Sequence, residues 1–335
     1  MSRSLFFIFL SMFFFLYPLS FSPAGAQSGA QSLTFVELNC ENLFDYKHDS
    51  LKQDQEYLPE SVRRWTKQRY WRKLNNIGRE LVSTCDDGVP DLIALCEVEN
   101  DSVMVDLCRR SLLRTAGYDY VMTQSPDQRG VDVALMYQPT SFAPDTAYGL
   151  RVEPVSGMRP TRDILYVRGC IVGGDTLHVF VVHAPSRYGG EHYSRRFRQT
   201  VIERLCCSLD SLSDVSSELN IIIAGDFNDD ADSPVLKQLE KHGVVNMTRR
   251  ANGQNGALGT YRYQGEWGSL DHIFGSPAIQ RRLQSAYIHS PRFILEKDKQ
   301  HGGWQPLRTY NGLKYRQGYS DHLPLVVRLV VRGER

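Results

Sequence analysis

The run Asn220-Ile221-Ile222-Ile223-Ala224-Gly225-Asp226-Phe227-Asn228-Asp229-Asp230 closes a β-branched stretch with a carboxylate and a carboxamide two residues apart. In extended chain such a pair leaves the same side. The carboxylate accepts a proton while the amide donates hydrogen bonds without adding charge, which is what orienting a water and holding a developing charge require. A turn capped by Asp and Asn would look the same in isolation. Other apolar runs, however, end alike. Residues 33–38 lead into Asn39, with Glu41, Asn42 and Asp45 beyond; residues 91–96 lead into Glu97; residues 177–182 lead into His183. Ser269-Leu270-Asp271-His272-Ile273-Phe274 sets an acid inside an apolar run, where an unpaired charge is costly and a partner is required. Tyr319-Ser320-Asp321-His322-Leu323-Pro324 puts an acid beside an imidazole; neighbours in extended chain point opposite ways, so Asp321 and His322 serve different partners, one a metal and the other the substrate. Asp271 is the natural orienting acid for His322, because an imidazole that handles protons needs its other nitrogen fixed.

The elements that carry these residues alternate along the chain. Period-two and continuous apolar patterns predict strands over 33–38, 91–96, 131–137, 164–172, 177–182, 220–224, 270–274 and 323–331. Between them Trp71, Leu74, Ile77, Leu81 and Val82 share one helical face, as do Phe197, Val201, Leu205 and Leu209, and Ser233-Pro234 is a helix start ahead of Val235 and Leu239. Strands in this number, interleaved with helices, predict an α/β fold of two sheets packed face to face with helices outside.

The first residues belong to a different category. Arg3, an apolar run over 5–21 broken by Ser11, Pro18 and Ser20, and the small residues Ala24-Gly25-Ala26 read as a secretory signal peptide over 1–26; a retained anchor is the competing reading. The expectation is a chain exported to the periplasm or secreted, without stable membrane association once the signal is removed. Residues 32–333 then form one catalytic domain, large but within the range of a single core. Losing Arg3 takes the 39 Lys plus Arg to 38, level with 38 Asp plus Glu, so affinity for a polyanion must come from local patches. Seven cysteines leave at least one thiol unpaired or paired between chains, and no spacing forms a zinc cage. Nothing in the sequence points to a protein partner, and a monomer is expected.

The order Asn39, Glu97, His183-Ala184-Pro185, Gly225-Asp226-Phe227-Asn228, Leu270-Asp271 and Ser320-Asp321-His322 resembles the endonuclease/exonuclease/phosphatase superfamily, the group that contains DNase I. The resemblance covers nearly all of the chain after the signal. It implies a four-layer αββα sandwich of two mixed sheets flanked by helices, with the site at one end, and hydrolysis of phosphate esters with Mg²⁺, sometimes Mn²⁺ or Ca²⁺. It further implies that Glu97 is the principal metal carboxylate, with Asn39 and Asp321 beside it. Asp226 and Asn228 would position or activate water, and His322, held by Asp271, would touch the scissile phosphate. His183 resembles the second histidine of the DNase I branch, with Asp132 as the candidate acid behind it. Arg162 resembles the arginine that grips phosphate; Arg129 and Arg187 join it as substrate-binding candidates.

Substrate is read from the surroundings of these residues. The basic and aromatic segment 186–198 suits a nucleic-acid backbone, arginine meeting phosphate and rings stacking on bases, and equally suits the solvated start of a surface helix. Segments 261–267 and 308–310 are similar in character. The expectation is a metal-dependent endonuclease acting on DNA or RNA. The alternative is a phosphatase or phospholipase acting on inositol phosphates or sphingomyelin, although no apolar hairpin for a lipid surface is evident. A binding module with a dead site is disfavoured, because every aligned catalytic position is intact.

Overall fold

Successive side chains of β1 (Gln31–Leu43) enter different cores, and that alternation defines the architecture. Leu33 and Phe35 face one way, into a cluster shared with Ala224, Val179 and Leu325; Val36, Leu38 and Cys40 face the other, into a cluster shared with Leu74 and Ile77. The computed structural model describes residues 31–216 and 218–331. The signal peptide expected over 1–26 lies outside the described residues. Among the described residues no helix is long and apolar enough to cross a membrane.

The other strands needed here are β2 (Leu92–Val98), β3 (Asp119–Met122), β4 (Asp132–Tyr137), β5 (Phe142–Leu150), β6 (Ile164–Ile171), β7 (Thr176–His183), β8 (Asn220–Asp226) and β9 (Val245–Asn246), followed by Asp271–Gly275, Leu283–Ile288 and Leu325–Val331. They form two six-stranded sheets. One runs Leu283–Ile288, Leu325–Val331, β1, β2, β4, β3; the other runs β5, β6, β7, β8, Asp271–Gly275, β9. Each sheet has one parallel pair near its centre, β1 with β2 and β7 with β8, and antiparallel strands around it. The inner faces share the first cluster, so the sheets stack directly. Helix α1 (Lys67–Val82) covers the outer face of the first sheet, and the long helix Glu191–Ser213 covers that of the second through Val201, Ile202, Leu205 and Leu209. The four layers expected from the sequence are therefore present.

The differences have local causes. β3, β5, β9 and Leu283–Ile288 are not predicted by the sequence. β5 carries Pro144 and Gly149, which break its pattern; it lies at a sheet edge, where a missing N–H is tolerated, and its register slips between Pro144 and Thr146. Ser233-Pro234 opens turns rather than a full helix, and only Lys237–Lys241 is helical. All seven cysteines are free thiols, with Cys40 and Cys96 fully buried.

Both covering helices bury charge as well as apolar surface. Lys73 of α1 is buried and donates to Thr309 Oγ1 at 2.7 Å and to the Tyr319 carbonyl, tying the helix to the chain just ahead of Asp321. Arg198 of the long helix is fully buried, bonded to Asp229 at 3.1 Å, Ser194 at 2.9 Å and Glu191 at 2.7 Å. Arg198→Ala leaves the buried Asp229 with only the more distant Arg187, 3.6 Å away, and is expected to cost about 3 kcal/mol, read as a lower denaturant midpoint. Glu80, buried with neither oxygen hydrogen-bonded, is pushed by burial up to about 8, against the pull of Lys73. A carboxyl whose folded pKa is raised binds its proton more tightly in the native state, so its contribution to stability declines as pH rises from about 4.5 through about 8. Glu80→Gln is expected to flatten the pH dependence of the melting temperature over that window; an unchanged slope would rule the group out as its source.

Candidate active site

The topology determines which strand ends meet. In a parallel pair both carboxyl ends lie at one edge, and there the antiparallel neighbours begin. Asn39, Glu97, His183 and Asp226 stand at the carboxyl ends of β1, β2, β7 and β8. At the same edge Asp271 opens its strand, His322 precedes Leu325–Val331, Arg129 precedes β4 and Arg162 precedes β6. Within the second sheet His183 pairs with Asp226, and Asp226 with Asp271, as a row across three strands.

Hydrogen bonds lock this row to the other sheet. Asn39 Nδ2 donates to Asp226 Oδ2 at 3.0 Å, and His322 Nδ1 meets Asp271 Oδ2 at 2.7 Å. Thr260 Oγ1 donates to the same Asp271 oxygen at 2.5 Å. Asp226 also accepts from the Asn228 backbone N–H at 2.8 Å and from Asn228 Nδ2 at 3.2 Å, while Asn228 Nδ2 reaches the Ala184 carbonyl at 3.1 Å. Asp226 and Asn228 are thus one rigid unit, with Asn228 beyond the end of β8 and left-handed rather than in the extended chain their spacing suggests. Gly225, at φ +146°, makes this possible: a Cβ there would lie 1.8 Å from the Val182 carbonyl oxygen.

The carboxylates of the first sheet are aimed by irregular backbone. Glu97 occupies a bulge where the pairing with β4 slips between Cys96 and Val98, and its φ is +61°. Glu41, Asn42 and Asn228 are also left-handed, at φ +51°, +54° and +50°. Non-glycine residues in this region cost about 1–3 kcal/mol each and persist where surroundings over-determine them. Here the Asn42 N–H donates to Glu97 Oε2 at 2.7 Å, and the Thr309 N–H to Glu41 Oε2 at 2.6 Å.

Burial shifts the titrating groups in opposite senses. Burial, aided by the Arg162 and Arg129 guanidiniums, pushes His183 well below the ordinary imidazole range. Burial would lower His322 too, but Asp271 opposes it and, with Asp226 and Asp321, carries the ring well above that range. Burial and the neighbouring Asp271 push Asp226 up to about 7, against the pull of His322 and its hydrogen bonds. Glu41 is pushed up to about 7 by burial and by Asp321.

A cavity of about 740 Å³ gathers these residues. Asn39, Glu97, Arg129, Arg162, His183, Arg187, Asp226, Asn228, Asp321 and His322 all line it, and Asp271 stands behind His322. Its opposite wall is the hairpin of Tyr261–Tyr263 and Glu266–Gly268, which contributes Trp267 and lays Tyr261 with its ring centre 4.9 Å from that of His322.

Two expectations change. Asp132 is not the acid behind His183: it accepts from Thr123 Oγ1 at 2.5 Å and the Ser125 N–H at 2.9 Å, and His183 Nδ1 has no partner among the described residues. What faces the ring is its Nε2 side, 3.7 Å from Glu97 Oε1 and 3.8 Å from Asp226 Oδ2. Arg187 is already engaged, donating to the Asn228 carbonyl at 3.0 Å and Asp230 Oδ2 at 2.8 Å, so it braces the 226–230 turn. Among the described residues, the group of three His, Cys, Asp or Glu side chains whose ligand atoms all lie within 4.8 Å of one another is Asp226, Asp271 and His322. Because Asp271 and His322 satisfy each other, an ion between them would have to break that bond. Glu97 and Asp321 line the cavity with the Asn39 amide, and Asp321 raises the cost of charge on Glu41; oxygen donors of this kind suit a hard divalent cation, which would compete with Arg308 for Asp321 and with Lys73 for Glu41. Glu41, Lys73 and Thr260 carry weight here that their sequence context does not reveal, since each acts through a contact distant in the chain.

The sequence profile of the endonuclease/exonuclease/phosphatase family matches residues 34–331. No curated protein sequence matches the chain significantly. Among solved structures it is similar to an endonuclease/exonuclease/phosphatase family protein from Bacteroides thetaiotaomicron (17% identity, 90% of this chain and 98% of that one, TM-score 0.58). It is similar also to a mannosyl-6-phosphatase from the same organism (17% identity, 89% and 100%, TM-score 0.56) and to the catalytic domain of human Nocturnin (17% identity, 89% and 93%, TM-score 0.53). With the family's profile spanning nearly the whole sandwich and its site residues gathered in one cavity, the chain belongs to the endonuclease/exonuclease/phosphatase family of phosphoric-ester hydrolases.

Proposed function

We propose that this hydrolase is an exported, Mg²⁺-dependent phosphodiesterase that cuts nucleic-acid backbones. One observation carries the reading: Asp226 stands between two histidines whose protonation is driven in opposite directions. Groups separated in this way divide acid and base work between them. Asp226, held by Asn39 and Asn228, takes the proton of the attacking water, and Asn228 holds the turn that aims it. His322, kept cationic by Asp271, donates to a phosphoryl oxygen. His183, kept neutral, offers Nε2 toward the reacting group from the other side. Arg162 and Arg129 supply positive charge for the phosphate at the mouth. Mg²⁺ bound by Asn39, Glu97 and Asp321, with Glu41 beside them, would supply neutralisation of the phosphoryl and leaving oxygens.

A second reading is a phosphatase acting on a sugar or inositol phosphate. Trp267 and Tyr261 on the cavity wall favour it, since a flat aromatic surface suits a sugar ring as well as a base, and one similar structure is of a mannosyl-6-phosphatase.

The chain freed of its first residues is expected to degrade plasmid DNA with Mg²⁺ and to stop when the metal is chelated. Release of phosphate from sugar or inositol monoesters, with DNA and RNA left intact, would put the second reading in place of the first. His322→Ala is expected to lower kcat by a factor of about 10²–10⁴ without moving the melting temperature by more than a few degrees. The pH profile of kcat/KM is expected to rise as Asp226 gives up its proton near pH 7 and to fall only well above the ordinary imidazole range, as His322 deprotonates. A falling limb at pH 6–7 would contradict these roles.

A further inference from the structure

Beside the catalytic cavity lies a second groove of about 550 Å³. Arg129, Arg162, Ser186 and Tyr188 line both, so the two adjoin. The far part of the groove is walled by Arg159, from segment 157–162, and by Tyr193 and Phe197, from the start of the long helix. These walls are tied together. Tyr193 Oη donates to the Gly157 carbonyl at 3.3 Å, and Arg196 Nη2 lies so near Gly157 that a Cβ there would be 2.9 Å away. The Arg196 guanidinium also stands 4.9 Å from the ring centres of Tyr193 and Phe197.

The charge of this groove is unbalanced. Asp127, its carboxylate, is buried and already paired with Arg162 at 3.1 Å. Among the described residues neither Arg159 nor Arg196 has a carboxylate within 4.0 Å. Arg162, buried at the boundary, uses Nη1 on Asp127 and Nη2 on the Ala184 carbonyl at 2.7 Å, while its Nε–H has no partner. At the lip Tyr188 is 90% exposed, an aromatic face open to a flat ligand. Unpaired guanidiniums next to free aromatic faces are the combination that tracks a phosphate backbone and stacks unpaired bases.

We propose that this groove is a flanking-phosphate subsite for single-stranded nucleic acid, in which Arg159 on the groove wall holds a phosphate next to the scissile one, Arg196 adds positive charge from behind the Tyr193 and Phe197 rings, and Tyr188 stacks the base between the two phosphates. The proposal rests on the phosphodiesterase reading and extends it: the preferred substrate is a strand of several nucleotides, not a small diester. Arg159 and Arg196 are exposed and stand outside the catalytic machinery.

The test compares the full chain with the double variant R159A/R196A and with Y188A, on a single-stranded decanucleotide, the corresponding duplex and bis(p-nitrophenyl) phosphate. Decanucleotide binding is followed in parallel by fluorescence anisotropy with the metal chelated. For the double variant, kcat/KM on the single strand is expected to fall at least about tenfold, and the salt dependence of binding to become shallower by about 0.7 in slope, for the one lost phosphate contact. Turnover of the small diester is expected to stay within about twofold. Y188A is expected to weaken single-strand binding several-fold, and R159E more than R159A. Unchanged binding and cleavage of the single strand, equal losses on strand and small diester, or a loss confined to the duplex would each overturn the subsite while leaving the phosphodiesterase reading in place. A wild-type chain that hydrolyses neither diester would overturn both.

Discussion

At the polar end of the seam between the sheets two side-chain pairs join them, Asn39 to Asp226 and His322 to Asp271, and the site depends on both. Below them the seam is apolar, filled by Phe35, Ala94, Val133, Val181 and Ala224, and it sets how far apart the sheets stand. At its upper end the packing must give way to charge. Each sheet supplies part of the polar set, and neither part is satisfied alone: Asp226 would lose the amide that steadies it, and Asp271 the ring that neutralises it. A change in sheet separation anywhere along the seam is therefore felt at the site, because close-packed interiors transmit strain rather than absorb it.

The electrostatics follow from the same placement. Carboxyl groups taken out of water favour their neutral forms, and Glu37, on the same face of β1 as Asn39, is raised well above its usual range by burial and by Asp271 and Asp226. Charge at the seam is thus limited to groups with a partner. His322 keeps its proton against burial because Asp271, Asp226 and Asp321 stand near it; burial, with Arg162 and Arg129 beside it, takes the proton from His183. The asymmetry between the histidines arises from which sheet edge each occupies and what that edge faces.

Much of this is legible in the chain. Asn39, Glu97, His183, Asp226, Asn228, Asp271 and His322 all stand at strand boundaries, and a topology in which parallel pairs finish where antiparallel neighbours begin brings these boundaries together. The Asp271–His322 pairing follows from the cost of an acid inside an apolar strand. What period and composition do not carry is the register of contacts distant in sequence. Asp132 sits in a suitable run, but the chain 123–125 folds over it and takes its lone pairs. Arg187 has a basic, aromatic context, yet Asp230 and the Asn228 carbonyl reach it first. The segment 186–198 is both of the things its composition allows: Arg198 is buried structure, whereas Arg196 and Tyr188 stay exposed.

The bulges are the least legible feature and the most consequential. A regular β2 would alternate its side chains without interruption, and the position after Cys96 would then point away from the face that Cys96 occupies. The slip between Cys96 and Val98 breaks that rule and turns the Glu97 carboxylate into the cavity, where Asn42, itself left-handed, receives it. Asparagine tolerates the left-handed region, but Glu97 is not a residue that this backbone conformation selects on its own, as glycine would be. The conformation is held by what it achieves, a carboxylate bonded on one oxygen and open on the other. Strain of this kind gathers at Glu41, Asn42, Glu97 and Asn228, and these are the positions where the fold gives up local stability to point oxygens at one place.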